Sequence, residues 1–137
     1  MGRGLSDLQR YILHEAGKRR RVYYVEIMAG FFGFPTIQPL RRWGDEWFKE
    51  RFKGEDEKHP ERRGELVLPG SHYFSPAGIG IRRYRSAKVS LTRACLRLQQ
   101  RGLVQCLQGQ AHWSGVGISD QGRQWLSANS VVNLPQS

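Results

Sequence analysis

Apolar positions recur at helical spacing in three stretches of the chain and alternate in shorter runs between them. The first stretch carries Leu8, Tyr11, Ile12 and Ala16 behind Ser6-Asp7-Leu8-Gln9. There the serine caps the helix and the glutamine three residues on reaches back to it. This predicts a helix over residues 7–18. The second stretch, residues 24–34, holds Val25, Ile27, Met28, Phe31 and Phe32 and predicts a short helix closed near Gly33 and Pro35. Its aromatics read as core rather than as a cofactor box. The third runs from Tyr84 to Arg101, with Gly102 where a left-handed helix end belongs.

Residues 103–107 read as a strand, residues 108–112 as a turn, and residues 113–118 as a return strand loosened by Gly115 and Gly117. Ser119 caps a last helix that buries Trp125 and Leu126, and residues 130–137 form a frayed tail. Residues 35–80 break the rhythm with five prolines and the mixed charge run Glu55-Asp56-Glu57-Lys58-His59-Pro60-Glu61-Arg62-Arg63. A helix over residues 43–52 and a strand over residues 66–68 are expected inside a long loop or insert. The whole is one domain of residues 1–137, mainly α with a small β-hairpin (α+β).

Charge changes this picture most. The net charge is +10, and it is unevenly placed. The insert is neutral, whereas residues 81–137 carry eight Arg and Lys against Asp120 alone. A surface of one sign repels itself, and a polyanion is its usual partner. The basic cluster Lys18-Arg19-Arg20-Arg21 fits either the negative end of the first helix or a phosphate contact.

On the third helix, Leu91, Ala94, Cys95 and Leu98 share one face. Arg85, Ser86, Val89, Thr92, Arg93, Leu96 and Gln100 occupy the other. Arginine, small hydroxyls and a methyl-bearing side chain are the groups that meet guanine edges, phosphates and thymine methyls. Leu96 is the misfit, expected to pack against the insert. The lead-in Phe74-Ser75-Pro76-Ala77-Gly78-Ile79-Gly80 reads as a phosphate-contacting approach to the helix or as a plain connecting loop.

Helix, then Leu98-Gln99-Gln100-Arg101-Gly102-Leu103-Val104, then a hairpin, then Ile118-Ser119-Asp120-Gln121-Gly122, resembles the winged helix-turn-helix of MarR-type transcription regulators over residues 84–126. The resemblance implies a recognition helix through Arg93 and a wing tip in residues 108–114; the long insert before the recognition helix departs from that family, which joins the two helices by a short turn. A basic winged-helix ribosomal protein is similar in outline. The expected function is sequence-specific binding of double-stranded DNA as a transcriptional regulator. RNA or ribosome association and a protein-protein scaffold are the alternatives. The expected contacts are Arg82, Arg83, Arg85, Ser86, Lys88, Val89, Thr92, Arg93 and Arg97 from the helix, and Gln110, His112 and Trp113 from the wing. A homodimer is compatible with the resemblance, but no long terminal helix supports one.

Other chemistry is thinly represented. The four histidines show no metal-ligand spacing with each other or with Cys95 and Cys106. No phosphate loop, dinucleotide fingerprint or nucleophile-base set stands out, so no enzyme, cofactor or metal is expected. Two cysteines fit reduced thiols in a cytoplasmic protein. No apolar run reaches membrane-span length. The N-terminal Met1-Gly2-Arg3-Gly4-Leu5-Ser6 matches a short myristoylation pattern, but a capped helix start is the simpler reading.

Overall fold

The computed structural model describes residues 4–67, 73–107 and 114–132. Helix α1 (Asp7–Arg19) opens on the expected capping box, in which Ser6 Oγ accepts from Gln9 N and Gln9 Oε1 accepts from Ser6 N. Its apolar stripe, Ile12, Leu13 and Ala16, is fully buried. The chain then forms strand β1 (Arg21–Tyr23) and helix α2 (Tyr24–Gly30). Strand β1 is not among the predicted elements, because three residues are too few to show a period. Helix α2 is shorter than its apolar run. Gly33 adopts φ +70°, and Phe34 N donates to Met28 O across the turn.

Residues 35–67 and 73–80 hold more regular structure than a loop. Strands β2 (Arg41–Arg42) and β3 (Leu66–Val67) pair antiparallel, Arg42 opposite Leu66. Between them lie helices α3 (Glu46–Arg51) and α4 (Glu55–Lys58) and a 3-10 turn, Pro60–Arg62. The expected helix over residues 43–52 shrinks because Asp45 caps it, its Oδ1 accepting from Phe48 N at 2.7 Å. Leu66 and Tyr73 join Tyr23 and Val25 in a small second core. A partly buried ion pair ties this lobe to the rest: Arg42 bonds the buried carboxylate of Glu26, whose other oxygen accepts from Tyr23 N.

Helix α5 (Pro76–Ile79), capped by Ser75, leads into α6 (Ile81–Gln100). Helix α6 begins three residues before the apolar pattern suggests, since its first turn is basic and exposed. It buries Ala87, Leu91, Ala94, Cys95 and Leu98. Each fully buried leucine contributes about 1.5–3 kcal/mol. Strands β4 (Val104–Leu107) and β5 (Gly115–Ile118) follow, then α7 (Asp120–Val132). Residues 130–132 continue that helix, which corrects the expected frayed tail at those positions. The antiparallel sheet has the order β1-β5-β4, and α1 lies against β1, β5, α6 and α7. The fold is α+β, as the sequence pattern implies.

One joint sets where α6 ends and α7 begins. Gly102 takes φ +78°, Gly102 N donates to Gln99 O, and Leu103 N donates to Leu98 O. This is a Schellman close. Ser119 then binds that turn twice and caps α7 as well. Its Oγ donates to Gly102 O at 2.6 Å, its N donates to Leu103 O, and its Oγ accepts from Gly122 N. Gly122 lies so close that a Cβ there would sit 2.1 Å from Leu103 O.

Both fixed points can be tested by substitution. Gly122→Ala must push the α6–β4 turn away, so urea unfolding is expected to show a loss of about 1–3 kcal/mol. Arg42→Ala leaves the buried Glu26 carboxylate without its cation and is expected to cost about 3–5 kcal/mol in the same assay. A destabilisation below about 1 kcal/mol in the second case would show that the lobe is not anchored through this pair.

Candidate nucleic-acid interface

Six of the twenty residues of α6 are cationic: Arg82, Arg83, Arg85, Lys88, Arg93 and Arg97. The helix contains no acid, and all six are exposed. Among the described residues none of them forms an ion pair. Six cations elsewhere do: Arg10 with Asp7, Lys18 and Arg19 with Glu15, Arg42 with Glu26, Lys58 with Glu55, and Arg62 with Glu65. The basic cluster after α1 is therefore partly neutralised within its own helix. Desolvation works to raise the Glu15 pKa, but the Arg19 and Lys18 bonds outweigh it and hold it below the usual range.

The expected contact residues on α6 are all exposed, but they do not form one face. At about 100° per residue, Arg82, Arg85, Val89, Arg93 and Leu96 group around the line opposite the core. Arg83 and Lys88 lie on opposite flanks, about 140° apart as measured across the core side. The flanking side chains also lean on aromatic rings. Arg83 sits 5.2 Å from the Phe34 ring centre and Lys88 5.5 Å from that of Tyr84. Thr92 is engaged too, by a hydrogen bond with the Tyr24 hydroxyl. Leu96 is 47% exposed and Val89 50%. Leu96 thus stands in solvent beside the arginines rather than against the insert. Gln110, His112 and Trp113 lie outside the described residues.

Two groups near this face escape the sequence reading. Ser90 lies between Ser86 and Arg93 on the flank facing α1, and Arg101 extends the Arg93-Arg97 series by one more turn. Both are exposed. Arg101 reads from sequence as a turn residue, yet its four-residue spacing from Arg97 puts it on the same flank.

The cysteines sit behind this surface. Cys95 is fully buried, and Cys106 Sγ lies 3.7 Å from Cys95 O. Burial, then the neighbouring Cys106, pushes the Cys95 thiol up to about 12, although a bond from Tyr24 opposes the shift. Burial likewise raises Cys106, and burial leads the causes that take Tyr24 to about 12. A thiol held protonated is a poor nucleophile. Among the described residues no group of His, Cys, Asp or Glu could hold a metal ion, and no helix is long and apolar enough to cross a membrane. Compared with known proteins, the chain matches no family model, no curated protein and no solved structure.

The thiol environment gives a direct check. At about pH 8, just below the ordinary thiol pKa, Ellman's reagent is expected to leave Cys95 unreacted in the folded protein and to titrate both thiols in denaturing urea. These thiols and Tyr24 hold their protons more tightly folded than unfolded. Their contribution to stability is therefore present at neutral pH and is lost as pH rises from the ordinary thiol range towards about 12.

Proposed function

We propose that the protein binds nucleic acid through α6, with double-stranded DNA as ligand and transcriptional regulation as its role. The observation that carries this is the row of exposed arginines and lysine on one helix that contains no acid, with no ion pair among the described residues to balance them. Unpaired cations held close together repel one another in the free protein, and a phosphate backbone relieves that repulsion while releasing its counterions. The exposed line Arg82, Arg85, Val89, Arg93 and Leu96 mixes guanidinium forks with apolar tips, which suits a major groove edged by guanines and thymine methyls.

The element order supports a winged helix as the finer reading. Helix, strand and helix precede α6, and two strands follow it to close a sheet in the order β1-β5-β4. In that reading α6 is the recognition helix, β4 and β5 are the stem of the wing, and the lobe of residues 35–80 is inserted between the two helices of the helix-turn-helix. Helix α6 presents its face without obstruction from the lobe's second core, which lies on Tyr23 and Val25.

Titrating duplex DNA, single-stranded RNA and double-stranded RNA at several salt concentrations tests the proposal. Duplex DNA is expected to bind most tightly, with a steep loss of affinity as salt rises. On a preferred site, Arg93→Ala is expected to cost about 1–3 kcal/mol and to relax base preference. Unchanged affinity after replacing Arg85, Lys88 and Arg93 together by Ala would overturn the reading. Tighter binding to either RNA would move the ligand to that class.

A further inference from the structure

Three cavities adjoin one another along the flank of α6 that faces α1 and the end of α2. The first, about 550 Å³, lies between the start of α1 and Arg97, Gln100 and Arg101. The second, about 280 Å³, shares Ser6, Gln9 and Arg97 with it and adds Ser90 and Arg93. The third, about 220 Å³, shares Ser90 and continues past Ser86 and Arg83 to Phe32 and Phe34. Together they form one groove. Its α6 wall is the series Arg83, Ser86, Ser90, Arg93, Arg97 and Arg101, spaced three or four residues apart. These residues stay within about 80° of one another around the helix and run about 27 Å along it at about 1.5 Å per residue.

The groove is charged on one side only. Among the described residues no carboxylate lines it. On the opposite wall, the Ser6 and Gln9 side chains are already engaged in the capping box. The four arginines have no counter-ion among the described residues. At the far end, Arg83 is braced against the Phe34 ring, which is itself buried. A linear polyanion with regularly spaced charges matches such a track. A compact anion would use only a fraction of it. Serine hydroxyls between arginines are further donors to phosphate oxygens.

We propose that this groove holds a single phosphodiester strand along its length, distinct from the outer line of Arg82, Arg85, Val89 and Leu96. The identity of the strand rests on the nucleic-acid reading above: one backbone of the bound duplex lies in the groove while the outer line faces the bases. Arg93 stands at the boundary and touches both. Contacts of this kind fix register and carry no sequence information. The flank therefore supplies affinity, and the outer line supplies preference.

The test uses the full chain and three variants. One is Arg83→Gln/Arg97→Gln/Arg101→Gln. The second places Lys at the same three positions. The third is Arg82→Gln/Arg85→Gln on the outer line. All positions are exposed, and the melting temperature without ligand confirms that each variant folds. Two probes are used: duplex DNA across a salt series, and inorganic polyphosphate read by its effect on the melting temperature.

In the glutamine groove variant, the slope of log K against log salt is expected to fall by about 2–3, roughly 0.9 for each phosphate that is no longer neutralised. Affinity is expected to drop to a similar degree on every sequence, with lysine restoring the slope. Polyphosphate is expected to raise the melting temperature of the wild type but not of the glutamine groove variant. If that variant keeps both the wild-type slope and polyphosphate protection while the outer-line variant loses DNA affinity, the groove is overturned and the DNA reading stands. If polyphosphate protects the wild type and not the groove variant, yet duplex DNA fails to bind at low salt, the groove stands and the DNA reading falls.

Discussion

The placement of α6 depends on a joint only a few residues across. Gly102 and Leu103 expose carbonyl groups where the helix unwinds, and Ser119 takes both, one with its hydroxyl and one with its amide. The same hydroxyl then caps α7 through Gly122 N. Several polar groups are satisfied in one place, which matters because each would cost about 1–3 kcal/mol if buried and left unpaired. The joint also fixes geometry. Leu103 leads directly into β4 and Ile118 closes β5, so one set of bonds fixes the end of the basic helix, the base of the hairpin and the entry to the last helix. Helix α6 can therefore present an unneutralised charged face without losing its position.

A second fixed point lies on the other side of the sheet. Glu26 is buried at the start of α2, with one oxygen on Tyr23 N and the other on Arg42. An unpaired buried carboxylate would be strongly unfavourable, so this pair secures the arrangement of α2 and β2 even if its net stabilisation is small. It explains how residues 35–80 can interrupt the main fold without loosening it. The lobe is tethered through a charge, through the β2–β3 pairing and through Tyr73 against Tyr23 and Val25. Trp43 packs 4.4 Å from Phe48 between ring centres, and the Arg62 guanidinium lies 4.1 Å from the Trp43 ring centre. The lobe's stabilisation is thus partly aromatic and cationic, as befits a segment too short for a large apolar core.

Much of this was legible in the sequence where one local rule decided the outcome. Ser6 and Gln9, Gly102, Ser119 and the buried stripe of α6 each follow from a cap, a left-handed turn or a period of about 3.6. What escaped depended on partners far away in the chain. Strand β1 exists because Val22 pairs with Val116, and nothing around residue 22 announces it. Gly115 reads as a weak point in a strand. Its lack of a side chain is what lets β1 approach, since a Cβ there would sit 2.2 Å from Val22 O. The insert looked like a loop because its charges are mixed and its prolines many, whereas its order comes from Glu26 and Tyr23 outside it. For the candidate interface, the exposed face of α6 was readable from helical geometry alone. The groove was not, because Arg101 and Ser90 acquire their setting only when α1 packs alongside.

The distribution of counter-ions carries more functional meaning than the net charge. A chain with +10 could spread its excess over a solvated surface, at little cost in ordinary salt. Here the acids lie elsewhere: Asp7, Glu15, Glu26, Glu55 and Glu65 pair with arginines and lysines on α1 and the lobe, and among the described residues none pairs with α6. Like charges at three- and four-residue spacing weaken a helix slightly at each pair. Helix α6 withstands this because its inner face is fully packed and its end is locked by Ser119. Stability is therefore supplied by one side of the helix and by its terminus, and the other side is left free of the pairing that would neutralise it. That division permits an exposed basic helix to remain rigid before any partner arrives, and rigidity before binding lowers the ordering cost that a polyanion would otherwise have to meet.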